Sequence, residues 1–98
     1  ELFQSNIEGE VINRLYGAHD DDVEGCLINP AGYTTGHPAL VAAIGQVRFP
    51  TIEIHMSNPA SRGAVSAVAP VCRGVIAGFG IHGYYLGMEG LVSLLNVG

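Results

Sequence analysis

Two hydrophobic periods alternate along this chain, one of about two residues and one of about 3.6, the signatures of strand and helix. Thr51-Ile52-Glu53-Ile54-His55, after Pro50, is a β-branched run that predicts a buried strand. Val11, Ile12, Leu15 and Tyr16 recur at helical spacing. Ser5 or Asn6 can cap that helix, with Glu8 in its first turn. His19 to Asp22 reads as a solvated acidic turn, and Gly25 to Ile28 as a short buried strand ending at Asn29-Pro30. Pro38 suits the first turn of a helix running to about Gly45. Val75 to Ala77 predicts another strand. Ile81 to Leu95 predicts a terminal helix despite Gly83, Gly87 and Gly90. Leu2-Phe3-Gln4 resembles the tail of one further strand. Strands alternating with helices predict an α/β domain, a parallel sheet covered by helices.

The chemistry concentrates where strands end. Successive strand side chains point to opposite faces, so Glu53 and His55 share one face, near the carboxyl end where open α/β sheets hold ligands. A carboxylate and an imidazole in an apolar strand are costly unless they pair. A paired carboxylate orients the ring and makes an acid/base device. The alternative is a purely structural pair, with Glu53 anchoring a backbone amide and His55 capping a loop. Asn29, Tyr33, Thr34, Thr35 and His37 follow the strand at Cys26, and Ser57, Asn58, Ser61 and Arg62 follow the strand at Thr51. Neighbouring parallel strands bring these loops to one edge. Asn29 before Pro30 can present a fixed amide to a ligand, or simply start an Asx-turn. The loop from Met56 to Cys72 is long for a compact domain, which favours a functional role.

Composition narrows the classes. The chain has 98 residues, enough for one small domain, and only 13% are charged, which suggests surface hidden in an oligomer or a fold lacking a part. Net charge is −5 with no lysine, against a nucleic-acid or anionic-membrane partner. Cys26 and Cys72 make neither a zinc spacing nor a disulfide framework, so a reducing cytoplasm is expected. No apolar stretch reaches membrane-spanning length. Gly78-x-Gly80-x-x-Gly83 matches a dinucleotide fingerprint on its face, but no second strand or distant acidic residue follows. These glycines instead predict a tight turn and a closely packed helix.

Five segments together resemble one family: Phe3-Gln4-Ser5-Asn6-x-Glu8-Gly9-Glu10, Ile28-Asn29-Pro30, Gly32-Tyr33-Thr34, Glu53-Ile54-His55-Met56-Ser57-Asn58, and Gly74-Val75-Ile76-Ala77-Gly78-Phe79-Gly80-x-x-Gly83-Tyr84. They resemble, in order and over nearly the whole chain, the type II 3-dehydroquinate dehydratases. The resemblance implies a flavodoxin-like three-layer sandwich and a cytoplasmic homo-oligomer, built from trimers into a dodecamer. It implies neither cofactor nor metal, and 3-dehydroquinate as the small-molecule substrate. Water is eliminated through an enolate to give 3-dehydroshikimate, in the shikimate pathway or in quinate catabolism. By position, His55 matches the general acid for the leaving hydroxyl and Glu53 the carboxylate that orients it. Asn29 matches a substrate-binding amide. Met56 and Ser57 match the amides and hydroxyl that hold the substrate carboxylate.

The chain also departs from the family pattern. The family histidine in the loop after Asn29-Pro30 falls on Thr35, with His37 two residues late, and an acidic residue that reaches the neighbouring subunit falls on Ala42. Two family arginines follow Ser57-Asn58. Here Arg62 alone follows, in a shortened loop, and is the candidate for gripping a substrate hydroxyl. These departures favour, as the alternative function, a non-catalytic or altered-substrate homologue that keeps the oligomeric scaffold. The family's first strand and its lid loop, with an arginine and the tyrosine base, precede the position of Glu1, and none of Tyr16, Tyr33, Tyr84 or Tyr85 matches that tyrosine. The expectation is one dehydroquinase-like domain over residues 1–98, truncated at its N-terminus and inactive alone. A slot would then lie between the Leu2–Gln4 strand and the rest of the sheet.

Overall fold

The computed structural model describes residues 1–97. Three parallel strands form the sheet: β1 (Cys26–Ile28), β2 (Thr51–His55) and β3 (Gly74–Ala77), in the order β1-β2-β3. β2 is central and buried at every position, with Ile52 and Ile54 on one face of the strand and the polar Thr51, Glu53 and His55 on the other. Glu53 lies in register with Ile28 on one side and Val75 on the other, and His55 lies beside Ala77.

Helices cover both faces. α1 (Glu8–Asp20) and α2 (Pro38–Gln46) bury Leu15, Leu40, Ala43 and Ile44 in one cluster, joined by Cys26 and Ile28 of β1 and by Val68. Leu27, Ile52, Ile54 and Ile76 point the other way and pack with Leu91, Tyr84 and Leu94 of α3 (His82–Val97). The strand alternation therefore turns Glu53 and His55 toward the α1/α2 face. Glu8 joins the two helices on that face, its Oε2 accepting the Leu40 amide at 3.2 Å in the first turn of α2.

α3 keeps three interior glycines because it lies directly on β2. A Cβ at Gly87 would come 2.6 Å from Ile54 Cδ1, and one at Gly83 3.2 Å from Ile54 Cγ2. Gly78 and Gly80, with φ of 95° and 58°, form the turn that brings β3 into this helix. The fingerprint glycines thus serve a turn and a close approach, as expected from the sequence.

Three sequence expectations differ from the fold. Leu2-Phe3-Gln4 is not a strand, and Leu2 is 99% exposed. Three residues with no ladder partner among the described residues gain nothing from extended pairing. β1 is consequently an edge of the described sheet, and no slot separates it from a preceding strand. α1 runs through His19 and Asp20, so the acidic turn is confined to Asp21 and Asp22. Finally, the residue preceding α1 is Ile7, so neither Ser5 nor Asn6 sits at the cap, although Ser5 Oγ accepts the Ile7 amide at 3.0 Å.

Candidate active site

Glu53 is completely buried and His55 is 8% exposed. His55 Nε2 lies 2.5 Å from Glu53 Oε2. Residues two apart on one strand face are close enough for this contact, and a carboxylate in the core requires it. With Nε2 committed to the carboxylate, Nδ1 is the ring nitrogen left to exchange a proton.

A second donor reaches the same oxygen. Ser66 Oγ lies 2.6 Å from Glu53 Oε2 and itself accepts the amides of Val68 and Ala69 at 3.1 and 3.2 Å. A hydroxyl accepting two amides has one proton to give, and it goes to the carboxylate. Glu53 Oε1 is buried and makes no hydrogen bond among the described residues, so Oε2 carries both interactions. Ser66 is a functional residue that sequence reasoning missed. Its position before Ala67-Val68-Ala69-Pro70 signals a turn cap, but nothing local signals a partner 13 residues earlier.

The long loop after β2 is pinned at several points. Asn58 Oδ1 accepts the Ala60 amide at 3.1 Å and caps a short 3₁₀ turn, Pro59–Arg62. That turn folds Arg62 back, so that its Nη1 donates to Ser57 Oγ at 3.0 Å. The Ala67 amide donates to the Thr34 carbonyl at 2.9 Å, which joins this loop to the one after β1. Val68 is fully buried and anchors the segment in the core. Met56 is exposed, and its carbonyl accepts the Gly80 amide at 2.9 Å.

Asn29 stands exposed at the end of β1. Its Oδ1 accepts the Ala31 amide at 3.2 Å, the Asx-turn arrangement, and its Nδ2 donates to the Tyr84 hydroxyl at 3.1 Å. Ala31 itself adopts φ 45°, a left-handed conformation costly for a residue with a Cβ. His37 Nδ1 donates to the Thr35 carbonyl at 2.8 Å, and its ring meets Tyr33 edge-on at 4.9 Å. Ala42 is exposed on α2.

Asn29, Met56, Ser57 and Arg62 are exposed and follow the carboxyl ends of β1 and β2, while Glu53 and His55 lie buried in the second half of β2. A carboxylate fixing an imidazole by a hydrogen bond is an arrangement suited to proton transfer. Both cysteines are half-buried free thiols. Burial pushes Cys26 up to about 11, and burial with the neighbouring Glu53 charge pushes Cys72 up to about 12, which excludes either as a ready nucleophile near neutrality.

Comparison with known proteins gives a consistent picture. The family described as Dehydroquinase class II matches residues 1–92. A 3-dehydroquinate dehydratase of Sulfurovum sp. (strain NBC37-1) is 43% identical over 99 residues, covering 98% of this chain and 60% of that protein. A 3-dehydroquinate dehydratase of Caldicellulosiruptor saccharolyticus is 44% identical over 98 residues, covering 97% of this chain and 68% of that one. The crystal structure of the type II dehydroquinase from Butyrivibrio crossotus DSM 2876 superposes with a TM-score of 0.89 at 34% identity, over 94% of this chain and 66% of that one. The chain thus spans 60 to 68% of the length of these relatives.

Proposed function

Because the chain belongs to the class II dehydroquinase family, we propose that it acts as a 3-dehydroquinate dehydratase, a lyase that eliminates water from 3-dehydroquinate through an enolate to give 3-dehydroshikimate. The observation that carries this reading is the buried Glu53–His55 pair, 2.5 Å apart at the carboxyl end of β2. Once the C2 proton has been removed and the enolate has formed, the C1 hydroxyl must leave as water. His55 gives it a proton from Nδ1. Glu53 holds Nε2 and stabilises the imidazolium that precedes the transfer. Asn29 and Arg62 bind hydroxyl oxygens of the ring, and the Met56–Ser57 segment holds the substrate carboxylate.

The assembly in this reading is a cytoplasmic homo-oligomer of trimers forming a dodecamer. Its support is the amount of apolar surface left in solvent on and beside α3, where Ile81, Tyr85, Met88 and Val92 are all exposed. The metabolic setting is the shikimate pathway or quinate catabolism. The reading treats residues 1–98 as one dehydroquinase-like domain.

Appearance of the conjugated enone of dehydroshikimate, followed in the ultraviolet, tests the proposal. The chain would be assayed alone and joined to the part of the Sulfurovum relative that lies outside the match. The expected result is turnover in the joined form, lowered about 10²- to 10⁴-fold by His55→Ala, the scale of general acid catalysis. No turnover in either form, or turnover indifferent to His55→Ala, overturns it.

A further inference from the structure

His55 is useful as an acid only if Glu53 stays ionised beside it. Two arrangements of the singly protonated pair compete. In one, an anionic Glu53 accepts from an imidazolium that carries protons on both Nε2 and Nδ1. In the other, the proton sits on Glu53, Nε2 is bare, and the ring is a neutral imidazole whose Nδ1 proton is a poor acid. Burial favours the neutral arrangement, because Glu53 has no contact with solvent and its Oε1 has no hydrogen-bond partner among the described residues.

The Ser66 hydroxyl opposes that tendency. Its two amide donors, Val68 and Ala69, fill its acceptor sites and aim its single proton at Glu53 Oε2, 2.6 Å away. A hydrogen bond to a charged acceptor favours the charged form. Cys72 also feels the Glu53 charge, but with its thiol pushed up to about 12 it stays neutral near neutral pH and brings no second charge to the pair.

We propose that Ser66 is a positioning residue for the proton donor: by donating to Glu53 Oε2 it favours the carboxylate over the carboxylic acid, and so keeps the proton shared by the pair on the His55 ring rather than on Glu53. This inference rests on the dehydratase reading for its role in turnover, though the electrostatic claim stands without it. The loop after β2 then does more than bind. Its turn at Ser66 connects the folded loop, through one hydroxyl, to a carboxylate inside the sheet.

The test is nitrogen-15 NMR of the His55 ring in the 98-residue chain across its titration, which reads which nitrogens carry protons and needs no substrate. In the unaltered chain Nε2 should stay protonated throughout, with Nδ1 alone titrating. Ser66→Ala should shift the ratio of ion pair to neutral pair about tenfold toward the neutral form, the scale of one hydrogen bond to a charged group, and move Nε2 toward the bare-nitrogen position. Ser66→Thr, which keeps the hydroxyl, should restore the original pattern, whereas loss of a merely structural contact would leave the ring signature unchanged. If Ser66→Ala does not fold, Ser66→Cys decides, since a thiol is a weak donor of similar size. An unshifted Nε2 signal in the folded variant, or a shift that Ser66→Thr fails to reverse, overturns the assignment. Absence of dehydratase turnover would instead overturn the proposed function and leave this result standing.

Discussion

Tyr84, on the first turn of α3, holds the Asn29 carboxamide at the end of β1 by a 3.1 Å hydrogen bond. The bond spans 55 positions of sequence and fixes which way the amide points. Removing the hydroxyl leaves the carboxamide held only through its Oδ1 and the Ala31 amide, while the ring stays in its apolar cluster. We predict that Tyr84→Phe keeps the fold and raises KM for 3-dehydroquinate about 2- to 10-fold, with a smaller change in kcat, as expected for one neutral hydrogen bond. Steady-state kinetics of the joined form separates the two parameters, and a fall in kcat alone would place Tyr84 elsewhere in the proposed mechanism.

The contact of Gly87 with Ile54 sets a second outcome. Alanine is ordinarily better than glycine in a helix by about 1 kcal/mol. At Gly87 the added methyl meets Ile54 Cδ1 at 2.6 Å and Leu27 Cδ2 at 3.1 Å in a packed core. Overpacking of this kind costs about 1 to 3 kcal/mol. Gly87→Ala should therefore destabilise the chain, while Gly17→Ala in α1, meeting only the far end of the Arg14 side chain at an ordinary 3.5 Å, should stabilise it by about 0.5 to 1 kcal/mol. Urea denaturation of the two variants would show opposite signs. Matching signs would mean that α3 does not lie this close to β2.

Ala31 gives a stabilising change inside the site loop. Its φ of 45° costs an L-residue about 1 to 2 kcal/mol, against about 0.5 to 1 kcal/mol of extra unfolded-state entropy for glycine. Ala31→Gly should raise stability by about 0.5 to 1 kcal/mol without disturbing the Asn29 turn. A lower denaturation midpoint would show that the left-handed conformation is not held in solution.

The thiols predict an alkaline limit. The ordinary value for both is 9.0, and the fold raises Cys26 to about 11 and Cys72 to about 12. Below pH 9 both are neutral, folded or unfolded, and cost nothing. Between these values the unfolded chain loses protons that the folded chain keeps, so stability falls as pH rises from about 9 to 12. The decline should be shallower in a Cys26→Ala, Cys72→Ala variant. At pH 8 iodoacetamide should label the native thiols slowly and the denatured ones fast. Rapid native labelling would contradict the burial.

Local pattern alone determined a good deal of this protein. The strand at Thr51–His55 was legible from its β-branched Thr51, Ile52 and Ile54 after Pro50, among which Glu53 and His55 stood out. Their shared face followed from the two-residue period of a strand, and the family from motifs spread over most of the chain. Helix α2 was legible from Pro38, whose missing amide is harmless in a first turn. Only the tertiary structure decided the rest. Leu2–Gln4 has strand-like residues and no strand, because a ladder needs a neighbour and three residues cannot specify one. The Ser66–Glu53 and Asn29–Tyr84 bonds join residues 13 and 55 positions apart, so neither leaves a periodic trace, and each exists because parallel strands deliver their following loops and helices to one edge of the sheet. The face on which Glu53 and His55 are buried was likewise invisible in the sequence, since alternation says that two residues share a side but not which helices cover it.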